Sequence, residues 1–280
     1  LGAALLVGAT ALLLLLLNWG GTAYPWVSPQ ILGLAVLSVV LWIGFGIRLT
    51  RAAEPLVSLE VLSNRIVLAG CFAMFMVAAA NVGFAVYLPV YAQAYLGLSP
   101  AGSGYALLGF LLGTTAGAAF SGRLTMRVVH VKWLAITGAL VSAAGFVVLG
   151  LIAGQTSILG LELVLIVTGA GLGATFPVTT VSVQNGVDQV HLGVATGMLT
   201  FLRSLGSALG VAVLAAIALG LGVPLGAEMG NAHVTHVSDP FPFAVLFCAM
   251  AAMMLAGAII TALMPHKALR STMNTAPVGD

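Results

Sequence analysis

Charge is so scarce in this sequence that every ionisable group inside an apolar run is a candidate for chemistry. Only 6% of the residues are charged, and an ionised side chain in hydrocarbon is costly enough to be read first as functional. Glu162 lies near the start of the run 157–181. It is either a carboxylate reaching back to the interface or a group that draws cations to an outer vestibule. Arg203 lies nine residues into the run 194–220, about 13 Å along a helix at 1.5 Å per residue. Its side chain is long enough to return to the interface. It either anchors a helix end on nearby carbonyls or takes part in gating and in contacts with further chain. Asn81 is near the middle of the run 66–94, and Phe84 is three residues from both Asn81 and Tyr87. That spacing puts the three on one helical face. An apolar, aromatic face with one amide suits a bulky lipophilic molecule, and it equally suits core packing. Tyr91 and Gln93 extend the candidates along the same run. For each polar member the alternative is an interhelical hydrogen bond, worth about 0.6 kcal/mol.

Other chemistries lack their residues. His130, His191, His233, His236 and His266 all fall in connections or the tail, and no His-Glu-x-x-His occurs. An intramembrane protease needs a Ser–His pair or paired Asp at depth, and a haem subunit needs histidine within a span. The reading is therefore of a protein that is not an enzyme, with no catalytic residue, no metal site and no cofactor. His233-Val-Thr-His236 has spacing open to a metal, but two ligands off a helix read as a solvated loop. Cys71 and Cys248 sit inside apolar runs as small hydrophobes. The net charge of +2 is too small to argue for nucleic acid.

The elements that hold these residues follow from hydropathy. Of 280 residues, 61% are hydrophobic, and the mean hydropathy is +1.16. A soluble domain carries about 25% charged residues, so lipid must be the solvent for most of this surface, and the bilayer is the first partner. A helix crosses the hydrocarbon with about 20 apolar residues. Eight runs qualify, over 1–17, 31–48, 66–94, 103–122, 132–154, 157–181, 194–220 and 241–264. The fold class is all-α, a polytopic membrane protein of about eight transmembrane helices. Uninterrupted runs such as Leu12–Leu17 do not fit the alternation of a barrel. Gly113-x-x-x-Gly117 and Gly206-x-x-x-Gly210 are close-approach motifs, and packing would be their function where helices must rock. Pro177 and Pro89 should kink the sixth and third helices. Leu1 opens inside an apolar run without a basic n-region, so the start is not a signal peptide; it reads as a cut within a longer protein.

Orientation follows from Lys and Arg placement. Eight of the nine such residues, among them Arg48, Arg51, Arg65, Arg123, Arg127, Lys132, Lys267 and Arg270, lie on one side of the eight runs. The first, third, fifth and seventh connections contain none. The basic side is expected to be cytoplasmic, with the C-terminus on it and Trp19, Tyr24 and Trp26 in an outer aromatic belt.

Several stretches resemble the major facilitator superfamily, in particular its fourteen-helix drug–proton antiporter branch, the EmrB/QacA group. They are Asn18-Trp19-Gly20-Gly21 with Tyr24-Pro25-Trp26-Val27-Ser28-Pro29, then Glu54-Pro55-Leu56 with Asn64-Arg65. Next come Leu88-Pro89-Val90-Tyr91-Ala92-Gln93 and Gly97-Leu98-Ser99-Pro100, Gly169-Ala170-Gly171-Leu172-Gly173 with Pro177, and Gly193-Val194-Ala195-Thr196-Gly197 with Arg203-Ser204-Leu205-Gly206. The resemblance reaches about Lys267. It implies an extra hairpin over 1–48, a cytoplasmic linker over 49–65, the C-terminal six-helix half over 66–264 as two inverted triplets, and a cytoplasmic tail over 265–280. It further implies export of small lipophilic compounds from the plasma membrane, powered by a proton gradient, together with an N-terminal six-helix half that would hold the coupling carboxylates. The third helix would line the central cavity. The sequence departs from the pattern at Gly109, where a proline is usual after Leu107-Leu108, and at Thr125-Met126, where an inner loop carries a small-plus-acidic pair. The alternative reading is a truncated or regulatory membrane module without transport of its own.

Overall fold

The computed structural model describes residues 2–20, 23–25, 27–51, 61, 63–125, 132–152, 158–223 and 239–264. Most of the linker with Glu54-Pro55-Leu56, the His233–His236 pair, Trp26, Met126-Arg127 and the tail 265–280 lie outside the described residues. Within them the chain forms eight helices: α1 Gly2–Trp19, α2 Pro29–Arg51, α3 Arg65–Ala94, α4 Pro100–Thr125, α5 Lys132–Leu151, α6 Ile158–Asn185, α7 Leu192–Gly220 and α8 Phe241–Leu263. Every apolar run holds one helix. Seven are long and apolar enough to cross a membrane, and α1 contributes a shorter apolar stretch, Val7–Leu16.

Local chemistry sets the ends. α4 opens on Pro100, whose missing N–H would have had no helical partner there, and Ser99 Oγ accepts from the Gly102 N–H at 3.1 Å. Asn64 caps α3 by accepting from the Ile66 N–H at 2.9 Å. Its amide also donates to the Gly186 carbonyl at 2.8 Å, just past the end of α6. Pro89 and Pro177 lie inside helices that continue past them.

Helices α3 to α8 pack in two matching sets, α4 and α5 on α6 and α7 and α8 on α3. α4 lies along α6 as α7 lies along α3, and α5 packs on α6 as α8 packs on α3. In both close pairs the helices run parallel. Gly113 and Gly117 of α4 meet Ile166 and Ala170 of α6 in step, and Gly206 and Gly210 of α7 meet Phe75 and Ala79 of α3 in step. With α3–α5 and α6–α8 taken as consecutive triplets, the two glycine pairs are counterparts, each on the second helix of one triplet against the first helix of the other. The α1–α2 hairpin packs against the outside of α7. Ser38 Oγ donates to the Ala9 carbonyl at 3.1 Å within it, and Trp42 meets Phe201 of α7 with ring centroids 5.7 Å apart.

Phe84 centres the core. Its ring lies 4.7 Å from Phe110, 5.0 Å from Phe146 and 5.9 Å from Phe247, centroid to centroid. That cluster joins α3, α4, α5 and α8. Lipid tails are as apolar as these side chains, so dispersion and ring geometry must hold the helices together. At the basic end Lys132 is buried. Its ammonium donates to the carbonyls of Ala262 at 2.6 Å and Met264 at 2.5 Å, groups that the end of α8 leaves unpaired.

Candidate functional site

The aromatic candidates of α3 turn into the bundle. Phe84 is 0% exposed, and Tyr87 and Tyr91 are 2% exposed. Tyr91 stacks on Tyr95 at 5.7 Å and meets Phe243 and Phe247 edge-on. Their shared face is part of the core of these helices. Asn81 is half-buried at the edge of that face. Gln93 reaches across to α4, its amide donating to Ser103 Oγ at 2.9 Å, and Ser103 Oγ in turn donates to the Pro100 carbonyl at 2.9 Å.

The glycine candidates mark where backbones meet. A Cβ on Gly113 or Gly117 would overlap the backbone of Ile166 or Ala170, and one on Gly206 or Gly210 would overlap the backbone of Phe75 or Ala79. α6 is crowded on two sides, because its own Gly169 and Gly173 meet α4 while Gly171 meets Gly138 of α5. Ser142 Oγ closes that second side by donating to the Thr168 carbonyl at 2.7 Å. Pro177 is half-buried between these seams and the basic end, where Val183 fills the space over Gly70.

Arg203 is exposed, and its setting is a face the sequence reading did not single out. At 100° per residue, Thr196, Thr200, Arg203, Ser204 and Ser207 share one sector of about 100° on α7. Thr200, Arg203 and Ser204 are exposed, and Thr196 and Ser207 are half-buried. Ser207 Oγ donates to the Arg203 carbonyl at 3.0 Å. Gln184 of α6 donates to Thr196 Oγ1 at 3.4 Å, at the basic end of the sector. Counting polar residues at helical spacing would have found it. A polar face with a guanidinium does not suit hydrocarbon, so it suits a water-filled cavity or facing protein.

Glu162 occupies the α4–α6 seam, half-buried, with its carboxylate over Gly109. It stands far from the basic end, where Arg65, Arg123 and Lys132 gather.

The sequence of residues 1–211 matches the family model of the Major Facilitator Superfamily. The chain belongs to that superfamily. It is 30% identical over 213 residues to the multidrug transporter protein MdtP of Bacillus subtilis, an alignment covering 76% of this chain and 39% of that protein. Multidrug resistance protein 3 of the same organism is 27% identical over 212 residues, covering 76% of this chain and 41% of its own. An uncharacterized MFS-type transporter of Mycobacterium tuberculosis is 30% identical over 244 residues, covering 86% of this chain and 35% of its own. The chain thus spans well under half the length of the curated relatives it matches. Superfamily membership and seven membrane-length helices make it an all-α, multi-pass membrane protein.

Proposed function

We propose that the chain is the C-terminal part of a secondary transporter of the fourteen-helix drug–proton antiporter branch, exporting small lipophilic compounds by alternating access. α1 and α2 would be the extra hairpin, α3 to α8 one complete half, and the facing six-helix half would bring the coupling carboxylates. The basic end would face the cytoplasm of a cell whose plasma membrane it spans.

The observation that carries this reading is the polar sector of α7 around Arg203. It is left open by the core and lies on a helix otherwise apolar enough to cross a membrane. A single half of a transporter presents such a surface to its facing half and to the substrate path between them. The names of the relatives, multidrug transporters among them, support efflux as the direction. The matched packing of the two triplets supports the six-helix unit.

Two preparations test it. The chain is reconstituted alone in liposomes, and separately joined to the N-terminal half of a family relative. A fluorescent lipophilic dye is then followed under an imposed proton gradient. The joined protein should move dye and stop when a protonophore is added, and the chain alone should move none. Proton-driven dye movement by the chain alone would sink the half-transporter reading.

A further inference from the structure

Two hydrogen bonds of the same kind stand at opposite ends of the bundle. At one end Gln93, in the last turn of α3, donates to Ser103 Oγ in the first turn of α4 at 2.9 Å. At the basic end Gln184, in the last turn of α6, donates to Thr196 Oγ1 near the start of α7 at 3.4 Å. The glycine seams show that these positions correspond. Gly206 and Gly210 follow Gly113 and Gly117 by ninety-three residues, and Thr196 follows Ser103 by the same interval. Ile166 and Ala170 follow Phe75 and Ala79 by ninety-one, and Gln184 follows Gln93 by the same interval. The consecutive triplets thus carry one amide-to-hydroxyl tie in one register, once at each face.

The ties join two stiff arms. In one arm α4 lies on α6 backbone to backbone, through Gly113, Gly117, Gly169 and Gly173. In the other, α7 lies on α3 through Gly206 and Gly210. Backbones in such contact leave no side chain to yield, so each pair moves as a unit. Between the arms, α3 meets α4 and α6 meets α7 far more sparsely. Side-chain contacts such as Phe84 on Phe110 can tilt and slide. Asn64 pins the start of α3 to the end of α6 through the Gly186 carbonyl, and a pin between those two helices leaves the angle of the arms free.

Both ties cross from one arm to the other. Gln93 lies twenty-eight residues along α3 from Arg65 at the basic end, about 42 Å. Coupling over such a distance is carried by rigid elements with two arrangements. A change in the angle between the arms acts on both ties alike, because each joins the end of a triplet's first helix to the start of its second.

We propose that the Gln93–Ser103 and Gln184–Thr196 bonds are the two ends of one conformational coupling: together they set the angle between the α4–α6 and α3–α7 arms, and release of either loosens both faces. Any use of that angle in transport rests on the transport reading, but the coupling itself does not. The full chain is placed in phosphatidylcholine nanodiscs, with Cys71 and Cys248 replaced by alanine and nitroxide labels on pairs of introduced cysteines. Double electron–electron resonance then reads the distances. Tyr105 with Leu219 reports the non-basic face and Phe120 with Gly193 the basic face, and all four positions are exposed. Phe120 with Leu159, within one arm, is the control. Gln93→Leu should raise the ratio of long to short distances about threefold at both faces, the worth of one interhelical hydrogen bond in a membrane. Gln184→Leu should do the same. Thr196→Ser keeps a hydroxyl and should leave both faces as in wild type. Movement confined to the face that lost its tie overturns the proposal, and so does movement at neither face. Movement of the control pair also overturns it, since the arms would then not be stiff. Thermal unfolding confirms that each variant is folded, and Ser103→Ala or Thr196→Val replaces a glutamine variant that is not. If dye movement by the joined protein fails while the faces stay coupled, the transport reading falls and the coupled ties stand.

Discussion

Lys132 matters more as a hydrogen-bond donor than as one charge among nine. Its ammonium satisfies two carbonyls at the end of α8, and a buried charge-assisted bond is worth about 1.5–3 kcal/mol. Lys132→Met keeps the stem but strands those carbonyls, so the purified chain should lose about that much stability in detergent unfolding. Lys132→Arg should retain most of it, and a Met variant as stable as wild type would show the tie to be idle. Phe84 sits at the other extreme. With its ring closed off by three others, Phe84→Ala should cost about 3–5 kcal/mol, measured the same way. The sequence placed Phe84 beside Asn81 and Tyr87 correctly, because helical spacing decides which side chains share a face. It does not decide what that face meets. Lys132 was legible as a marker of sidedness, whereas its bonds span more than a hundred residues and leave no local pattern.

Among the helices, the two glycine seams behave as a pair. Alanine at Gly113 or Gly206 would strike backbone, which cannot swing aside as a side chain can. Such overpacking costs about 1–3 kcal/mol, and lowered unfolding temperatures should report it for both. Alanine at Gly104 or Gly197 meets nothing within 4 Å and should be neutral or mildly stabilising, since glycine weakens a helix interior. Equal effects at all four sites would mean that the seams do not hold the triplets together. The glycine spacing was readable in advance, as were the helices, because long apolar runs have no other stable form in lipid. The ends were less so. α4 starts at Pro100 and reaches Thr125, and α6 carries on to Asn185, past points where hydropathy alone falls away. The register between α4 and α6 could not be read at all. It depends on which backbones touch, and it sets Glu162 opposite Gly109, the tenth residue of α4.

For the whole molecule, packing and charge placement bear on sidedness together. Lys132 opens α5 and binds the end of α8, so that end shares a side with Arg123 at the close of α4. Ser99 precedes α4 at the opposite end. The expected orientation puts the basic side in the cytoplasm. In intact cells a membrane-impermeant maleimide should therefore label Ser99→Cys at once and Arg123→Cys only after permeabilisation. The two native cysteines should stay silent in both cases. Cys71 is buried in the core, and Cys248 is exposed on an apolar helix, where lipid rather than water meets its thiol. Labelling of Arg123→Cys in intact cells would invert the molecule. It would also place Glu162 toward the cytoplasm and Arg203 toward the outside, so the direction assigned to the substrate path would reverse with it.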